Sequence, residues 1–377
     1  MLNRKSILAV GFTFLLCTTL PLSAANFKTE KVDITTETVA EGLEHPWGLA
    51  FLPDGALLVT ERTGSLRIVR NGRTSQPVAN VPEVVAAGQG GLLDVALAPN
   101  FSTSGTIYFT FSEPGKGGAG TALASAKLIR GENSNRLENV KILVSMNKKT
   151  TKGQHFGSRI VIAPDGKLFV TMGERGEQDR AQDFRDQAGS VLRINADGSI
   201  PSDNPFADGK KGLPEIWSKG HRNPQGAAWD SLTKSLLAVE HGAMGGDEVN
   251  QPKPGRNYGW PVISYGKHYS GAKIGKGTSA AGYEQPLYYW DPSIAPSGLA
   301  IYQGSMFPEW QGDLLVGSLK FELLSRLDRD DKGAFTGEER MFDGAFGRIR
   351  DVRVAPDGSV YLLTDEANGK IIRLTRG

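Results

Sequence analysis

The sequence predicts an all-β protein, a six-bladed β-propeller of four-stranded antiparallel blades, and three observations carry that prediction. First, three segments repeat one another: Leu49-Ala-Phe-Leu-Pro-Asp-Gly-Ala-Leu-Leu-Val-Thr60, Ile160-Val-Ile-Ala-Pro-Asp-Gly-Lys-Leu-Phe-Val-Thr171 and Val352-Arg-Val-Ala-Pro-Asp-Gly-Ser-Val-Tyr-Leu-Leu363. Each is an apolar strand, a tight turn and a second apolar strand. Pro sets the start of the turn, and Asp-Gly tolerates the positive φ that a hairpin needs. Second, the turns begin at positions 53, 164 and 356. Those spacings divide into two and then three units of about 55–64 residues. Third, Gly (47) and Pro (20) punctuate short apolar runs, and long amphipathic helical periods are scarce.

Taken in order, the chain opens with Arg4 and Lys5, an apolar run from Ile7 to Leu20, and Ser23-Ala24-Ala25. That order is a secretory signal peptide, assigned to residues 1–25, and the run is too short for a comfortable membrane span. Residues 26–377 then form a single propeller. The first repeat begins at Leu49. A weaker one runs from Leu93 to Asn100 and continues from Gly105 to Thr110. The third begins at Ile160. The fourth is Gln225–Asp230 with Leu236–Val239, the fifth Gly298–Tyr302 with Gly312–Val316, and the sixth begins at Val352. The Gly-, Lys- and Ser-rich segments 115–120 and 271–282 read as exposed loops.

Removing the signal takes Lys+Arg from 43 to 41, against 41 Asp+Glu. A balanced mature chain gives no reason to expect nucleic acid as a partner. Cys17 is the only cysteine and leaves with the signal, so neither a disulfide nor a Cys metal site is expected. An exported protein without disulfides fits a bacterial periplasm, with no stable membrane insertion of the mature chain. The sequence has no Walker A, His-Glu-x-x-His or Gly-x-Ser-x-Gly motif, and Gly115–Gly120 matches G-x-G-x-x-G without a following helix.

Polar residues cluster at blade edges. His155, in Gly153-Gln-His-Phe-Gly157, immediately precedes an inner strand. It reads either as a general base or as a structural imidazole in a loop. In Gly220-His-Arg-Asn-Pro-Gln-Gly226, Arg222 offers a planar fork and Asn223 a donor and an acceptor; the alternative is an inter-blade salt bridge. Lys320 follows an apolar strand. Arg348 and Arg350 alternate on a strand, so both face one side and need an anion or an acidic partner such as Asp351 or Asp343. Glu240–Asn250 joins a Gly-rich turn to acidic residues. It reads either as a hard-cation site or as a long turn capped by Asp247. Tyr258-Gly-Trp-Pro261 and Tyr288-Tyr-Trp290 flank a planar ligand or pack between blades.

In this order the segments Pro46-Trp-Gly48, Gly88–Asp94, Gly153–Gly157, Gly220–Pro224, Gly246–Asn250, Asn257–Pro261, Ala295-Pro-Ser297 and Arg348–Val352 resemble the soluble pyrroloquinoline quinone (PQQ)-dependent aldose sugar dehydrogenases of the glucose/sorbosone dehydrogenase family. The resemblance covers the chain from about Gly42 to the C-terminus. It implies that Lys320, Arg348 and Arg350 hold PQQ, with Arg222, Asn223 and Gln89 around its quinone face. It implies that His155 is the base, with Arg222 beside the reacting centre. It implies a calcium ion on the backbone oxygens of Gly242 and Ala243, and a second near Glu248 and Tyr258. An aldose substrate and an external electron acceptor follow. Two departures stand out. Gln154 occupies a position that is acidic in some relatives, so the sequence assures no orienting carboxylate for His155. The Trp-Asp-Pro-Ser run at 290–293 leaves the sugar preference open. A calcium-dependent lactonase and a non-catalytic binding propeller are the competing functions. The cation count argues against the lactonase, whose metal would need side-chain acids.

Overall fold

A computed structural model describes residues 24–131 and 134–377. The assigned signal segment lies outside the described residues except for Ala24 and Ala25. These two begin a short exposed strand, Ala24–Lys28, paired with Asp33–Leu43. Six antiparallel sheets follow, five of them four-stranded. Their first strands are Pro46–Phe51, Leu92–Leu97, Gly157–Ile162, Pro224–Asp230, Pro296–Ile301 and Ile349–Val354. Each contacts the first strand of the next blade, and the sixth returns to the first. The ring is therefore closed, as the repeats predict, and all six predicted units are present.

The last blade is closed by the chain's beginning. Strands Ile349–Val354, Val360–Thr364 and Gly369–Arg376 supply three strands, and Asp33–Leu43 supplies the fourth. Closure by a distant strand removes a free sheet edge. The Pro-Asp-Gly turns behave as read: the chain leaves Leu52, turns through Gly55 at φ 80°, and returns with Leu52 N donating to Ala56 O at 2.8 Å. Segment 115–120 differs from expectation. It is the tip of a long hairpin, Thr106–Gly115 with Gly118–Arg130, and Ala119 and Gly120 are buried. Extended pairing continues there because small residues let the two strands run close. Segment 271–282 is mostly exposed loop, pinned by buried Ile274.

Apolar side chains fill the space between neighbouring sheets. Val95, Phe109 and Phe111 of the second blade pack with Leu58 and Ile68 of the first. Burial of this kind is worth about 1.5–3 kcal/mol for each large side chain. Near the axis the first strands are stitched by ions. Arg159 reaches Asp94 and Asp351, each at 3.0 Å, and donates through Nε to Gln225 O. Arg353 reaches the same two carboxylates. Asp94 also accepts from Ile160 N at 2.8 Å. Two cations against two carboxylates leave this buried network neutral. Among the described residues, no helix is long and apolar enough to cross a membrane.

Candidate active site

A cavity of about 440 Å³ opens at one end of the ring, within the range of small-molecule sites. Its walls come from the first, second, fourth, fifth and sixth blades, so residues distant in sequence meet. Gln89, Lys320, Arg348 and Arg350 line it, as predicted. Arg62, Glu322 and Asp365 line it too, and the sequence reading did not single them out; Trp47, Gln225 and His241, which also line it, lie in the quoted motifs but were given no role there. Four lining side chains are cations and two are acids.

The sixth blade supplies Arg348 and Arg350, and both turn to Asp365 rather than to Asp351 or Asp343. Arg350 donates to Asp365 and, at 2.7 Å, to Gln225 Oε1; Arg348 Nη2 lies 3.6 Å from Asp365. Asp351 is unavailable because Arg159 and Arg353 hold it. Burial opposes ionisation of Asp365, but the Arg350 charge and hydrogen bond, with His45 and Arg348, hold it well below the usual carboxylate range. One carboxylate facing two guanidinium groups leaves positive charge over. Arg350 Nε is buried without a partner. Lys320 is exposed at the rim, its Nζ 5.0 Å from the Phe321 ring.

His155 sits behind Gln89, whose Oε1 accepts from His155 N at 2.8 Å. Its φ of 58° is in the left-handed region, and the turn is possible because residue 173 is glycine: a Cβ there would lie 2.1 Å from His155 O. The orienting carboxylate that Gln154 does not provide comes from Glu174, whose Oε1 is 2.7 Å from His155 Nδ1. Glu174 is buried and also accepts from Glu177 N. Nδ1–H donating to Glu174 leaves Nε2 as the acceptor. Burial pushes His155 below the ordinary imidazole value. The Glu174 bond works against that shift, while the Arg222 and Arg175 charges reinforce it. The ring is therefore neutral near pH 7 and ready to take a proton.

Arg222 lies in a smaller recess that shares His241 with the cavity. Its guanidinium stands 5.2 Å over Trp260, and its Nη1 donates to His241 O at 3.3 Å. Among the described residues Arg222 forms no inter-blade salt bridge, and its Nε is buried without a partner. Asn223 Oδ1 accepts from Gly157 N, and its Nδ2 is likewise buried and unpaired. Buried donors without acceptors are costly unless something else receives them. His241 is pushed down to about 3 by burial, with the Arg222 and His155 charges adding to it. Its Nε2 meets Pro296 O at 2.7 Å.

The 242–246 turn is capped as read: Asp247 accepts from Gly242 N at 2.7 Å, Ser293 Oγ at 2.7 Å and Ala295 N at 2.8 Å. The turn is also a tight oxygen cradle. A Cβ on Gly242 would fall 2.2 Å from Gly245 O and 2.4 Å from Gly246 O. The crowded oxygens are those of Gly245 and Gly246 rather than the Gly242 and Ala243 oxygens that the resemblance implies as ligands, and backbone carbonyl oxygens are of the kind a hard cation accepts without side-chain acids. Among the described residues there is no group of three or more His, Cys, Asp or Glu that would hold a metal. Glu248 and Tyr258 both line the recess, but the Tyr258 hydroxyl is turned to Gln251 O and Lys253 N. Its ring stacks on His221 at 4.8 Å. Burial, with Glu240 adding to it, raises Glu248 above the usual carboxylate range. Tyr288 and Trp290 pack edge to face and bond Glu338, between blades rather than on a ligand.

The sequence profile described as Glucose / Sorbosone dehydrogenase matches residues 43–373. The chain belongs to the glucose/sorbosone dehydrogenase family. Within that family it is 41% identical over 380 residues to the aldose sugar dehydrogenase YliI of Escherichia coli (strain K12), covering 99% of both chains. The crystal structure of the soluble aldose sugar dehydrogenase from Escherichia coli, in the apo-form, superposes with a TM-score of 0.87 at 42% identity, covering 91% of this chain and 100% of that one. The PQQ-bound form of aldose sugar dehydrogenase from Streptomyces coelicolor superposes with a TM-score of 0.74 at 29% identity, covering 94% and 99%.

Proposed function

We propose that this family member is a periplasmic, PQQ- and calcium-dependent dehydrogenase that oxidises the anomeric carbon of aldose sugars to lactones. The observation that carries the reading is a cation-rich cavity with Arg350 Nε buried and unpaired, joined at His241 to the recess in which Arg222 Nε lacks a partner, as Asn223 Nδ2 does next to it, with the carboxylate-oriented His155 behind Gln89. A planar quinone with three carboxylates matches both the excess charge and the unpaired donors. The PQQ-bound relative supports the choice of cofactor.

When bound, PQQ supplies an electron-poor quinone that accepts a hydride from the sugar C1, polarised by calcium as a Lewis acid. Arg350, Arg348 and Lys320 would hold its carboxylates. Arg222, Asn223 and Gln89 would face the quinone, and Gly242 and Ala243 would present oxygens to calcium. His155 Nε2 takes the proton of the anomeric hydroxyl, and Glu174 holds the ring and steadies the imidazolium that forms. Glu248 and Tyr258 mark a second, structural calcium in this reading, with Tyr258 limited to its backbone oxygen. The N-terminal signal supports export.

The test is dye reduction by the purified mature chain across a panel of aldoses, with PQQ or calcium omitted in turn. Sugar-dependent reduction that needs both is expected. His155→Gln should lose on the order of 10²–10⁴ in kcat while retaining PQQ. No dye reduction and no PQQ absorbance on the protein would move the assignment to a lactonase or a binding propeller.

A further inference from the structure

A sugar oxidised in the cavity yields two electrons and two protons, and the electrons must leave the protein. Between the third and fourth strands of the fourth blade, residues 251–287 form a long excursion. From 249 to 283 the chain contains no Asp or Glu but carries Lys253, Arg256, Lys267, Lys273 and Lys276. The described protein is otherwise nearly balanced, so this stretch is a local departure. Lys253 and Arg256 face Glu284 at 3.7 and 3.6 Å. Lys267, Lys273 and Lys276 are exposed, and among the described residues none has a carboxylate within salt-bridge distance.

Apolar surface is interleaved with this charge. Tyr269 is 77% exposed and Met244 46%. Tyr289, also exposed, stacks on Tyr265 at 4.1 Å. The excursion is tied to the cavity rim: Met244 and Lys267 exchange backbone hydrogen bonds at 2.9 and 3.2 Å. Met244 sits in the turn that begins one residue after cavity-lining His241. Exposed aromatic and Met side chains ringed by cations are the composition of an interface, not of a plain solvated loop.

Resting on the dehydrogenase reading above, we propose that this surface docks an acidic one-electron carrier, a small redox protein with a negatively charged face. Charge complementarity selects the partner: three unpaired lysines steer an acidic surface to the rim and leave the aromatic groups to make contact. Two visits clear one turnover. Each visit reduces one carrier by one electron, and the two protons pass to solvent.

The experiment uses the full mature chain loaded with PQQ and calcium. The acceptors are an acidic cytochrome, a basic cytochrome of matched potential and uncharged benzoquinone. The variant is Lys267→Glu/Lys273→Glu/Lys276→Glu, with Lys→Gln at the same three positions as the milder form. The expected result is a roughly 10–100-fold lower second-order rate with the acidic cytochrome at low salt. That loss should shrink as salt rises, and benzoquinone turnover should be unchanged. Calorimetric titration of the acidic cytochrome reads docking without turnover, so absent sugar oxidation would overturn the function while binding still tests the surface. Equal acidic-cytochrome rates and equal binding in wild type and variant would overturn the docking surface. So would charge-dependent binding to anionic phospholipid vesicles with the cytochrome rates unmoved.

Discussion

Arg159 and Arg350 approach the same indole: their guanidinium carbons stand 4.5 and 5.9 Å from the Trp47 ring. Both are almost fully buried. Around Arg159 the charges close on themselves, because Asp94 and Asp351 answer Arg159 and Arg353. Around Arg350 they do not, because Asp365 alone faces both Arg350 and Arg348. The first region ties blades together and the second leaves positive charge over. Neither residue type nor an orphaned donor separates them, since Arg159 Nη2 is as unpaired as Arg350 Nε; the balance of charge does.

The sharpest way to break the comparison is to unbalance the neutral side. Asp351→Asn leaves buried Arg159 and partly exposed Arg353 sharing Asp94 and should lower unfolding free energy by about 3–5 kcal/mol, read by urea denaturation. A loss under about 1 kcal/mol would show that the network is not what stitches the axis. On the other side, Arg350→Met should leave a folded chain that retains PQQ at least about tenfold less well, read by titration of the quinone absorbance. An equal loss of stability and cofactor would erase the distinction.

Glu174→Gln should follow, lowering kcat by about 10–100-fold. The sign of its pH effect is fixed by direction. Glu174 raises the His155 pKa against burial, so without it the proton binds less readily. The acid limb of the kcat profile should therefore move to lower pH; an upward move would mean that Glu174 does not orient the base. Least affected should be Lys320→Ala, because its ammonium is exposed and screened. A several-fold weaker hold on PQQ, diminishing with salt, is expected.

Much of the propeller was legible because a Pro-Asp-Gly turn leaves a local mark wherever it occurs. The closing strand Asp33–Leu43 left none, since its partner lies at the other end of the chain. The cations Lys320, Arg348 and Arg350 were readable as unexplained charge. Asp365 and Glu174 were not, because a carboxylate that answers an arginine or orients an imidazole looks like any surface acid. One signal was available for Glu174. His155–Glu174 and His221–Glu240 are both 19 residues apart, and both pairs bond through Nδ1, at 2.7 and 2.8 Å. Aligning the third and fourth blades would have shown the repeat. The direction of the Tyr258 hydroxyl was not legible, because its partners, Gln251 and Lys253, are set by the loop's path rather than by composition.

Closure of the last blade by Asp33–Leu43 also orders the events of biogenesis. The strand is made early and waits for a partner, Gly369–Arg376, far along the chain. Arg348, Arg350 and Asp365 belong to that same late blade. A chain caught before its final residues are made has neither a closed ring nor the positive pole that would grip a polyanion. Were PQQ held there as proposed, its capture would wait on the sixth blade, and a chain truncated before that blade would lose loading and closure together.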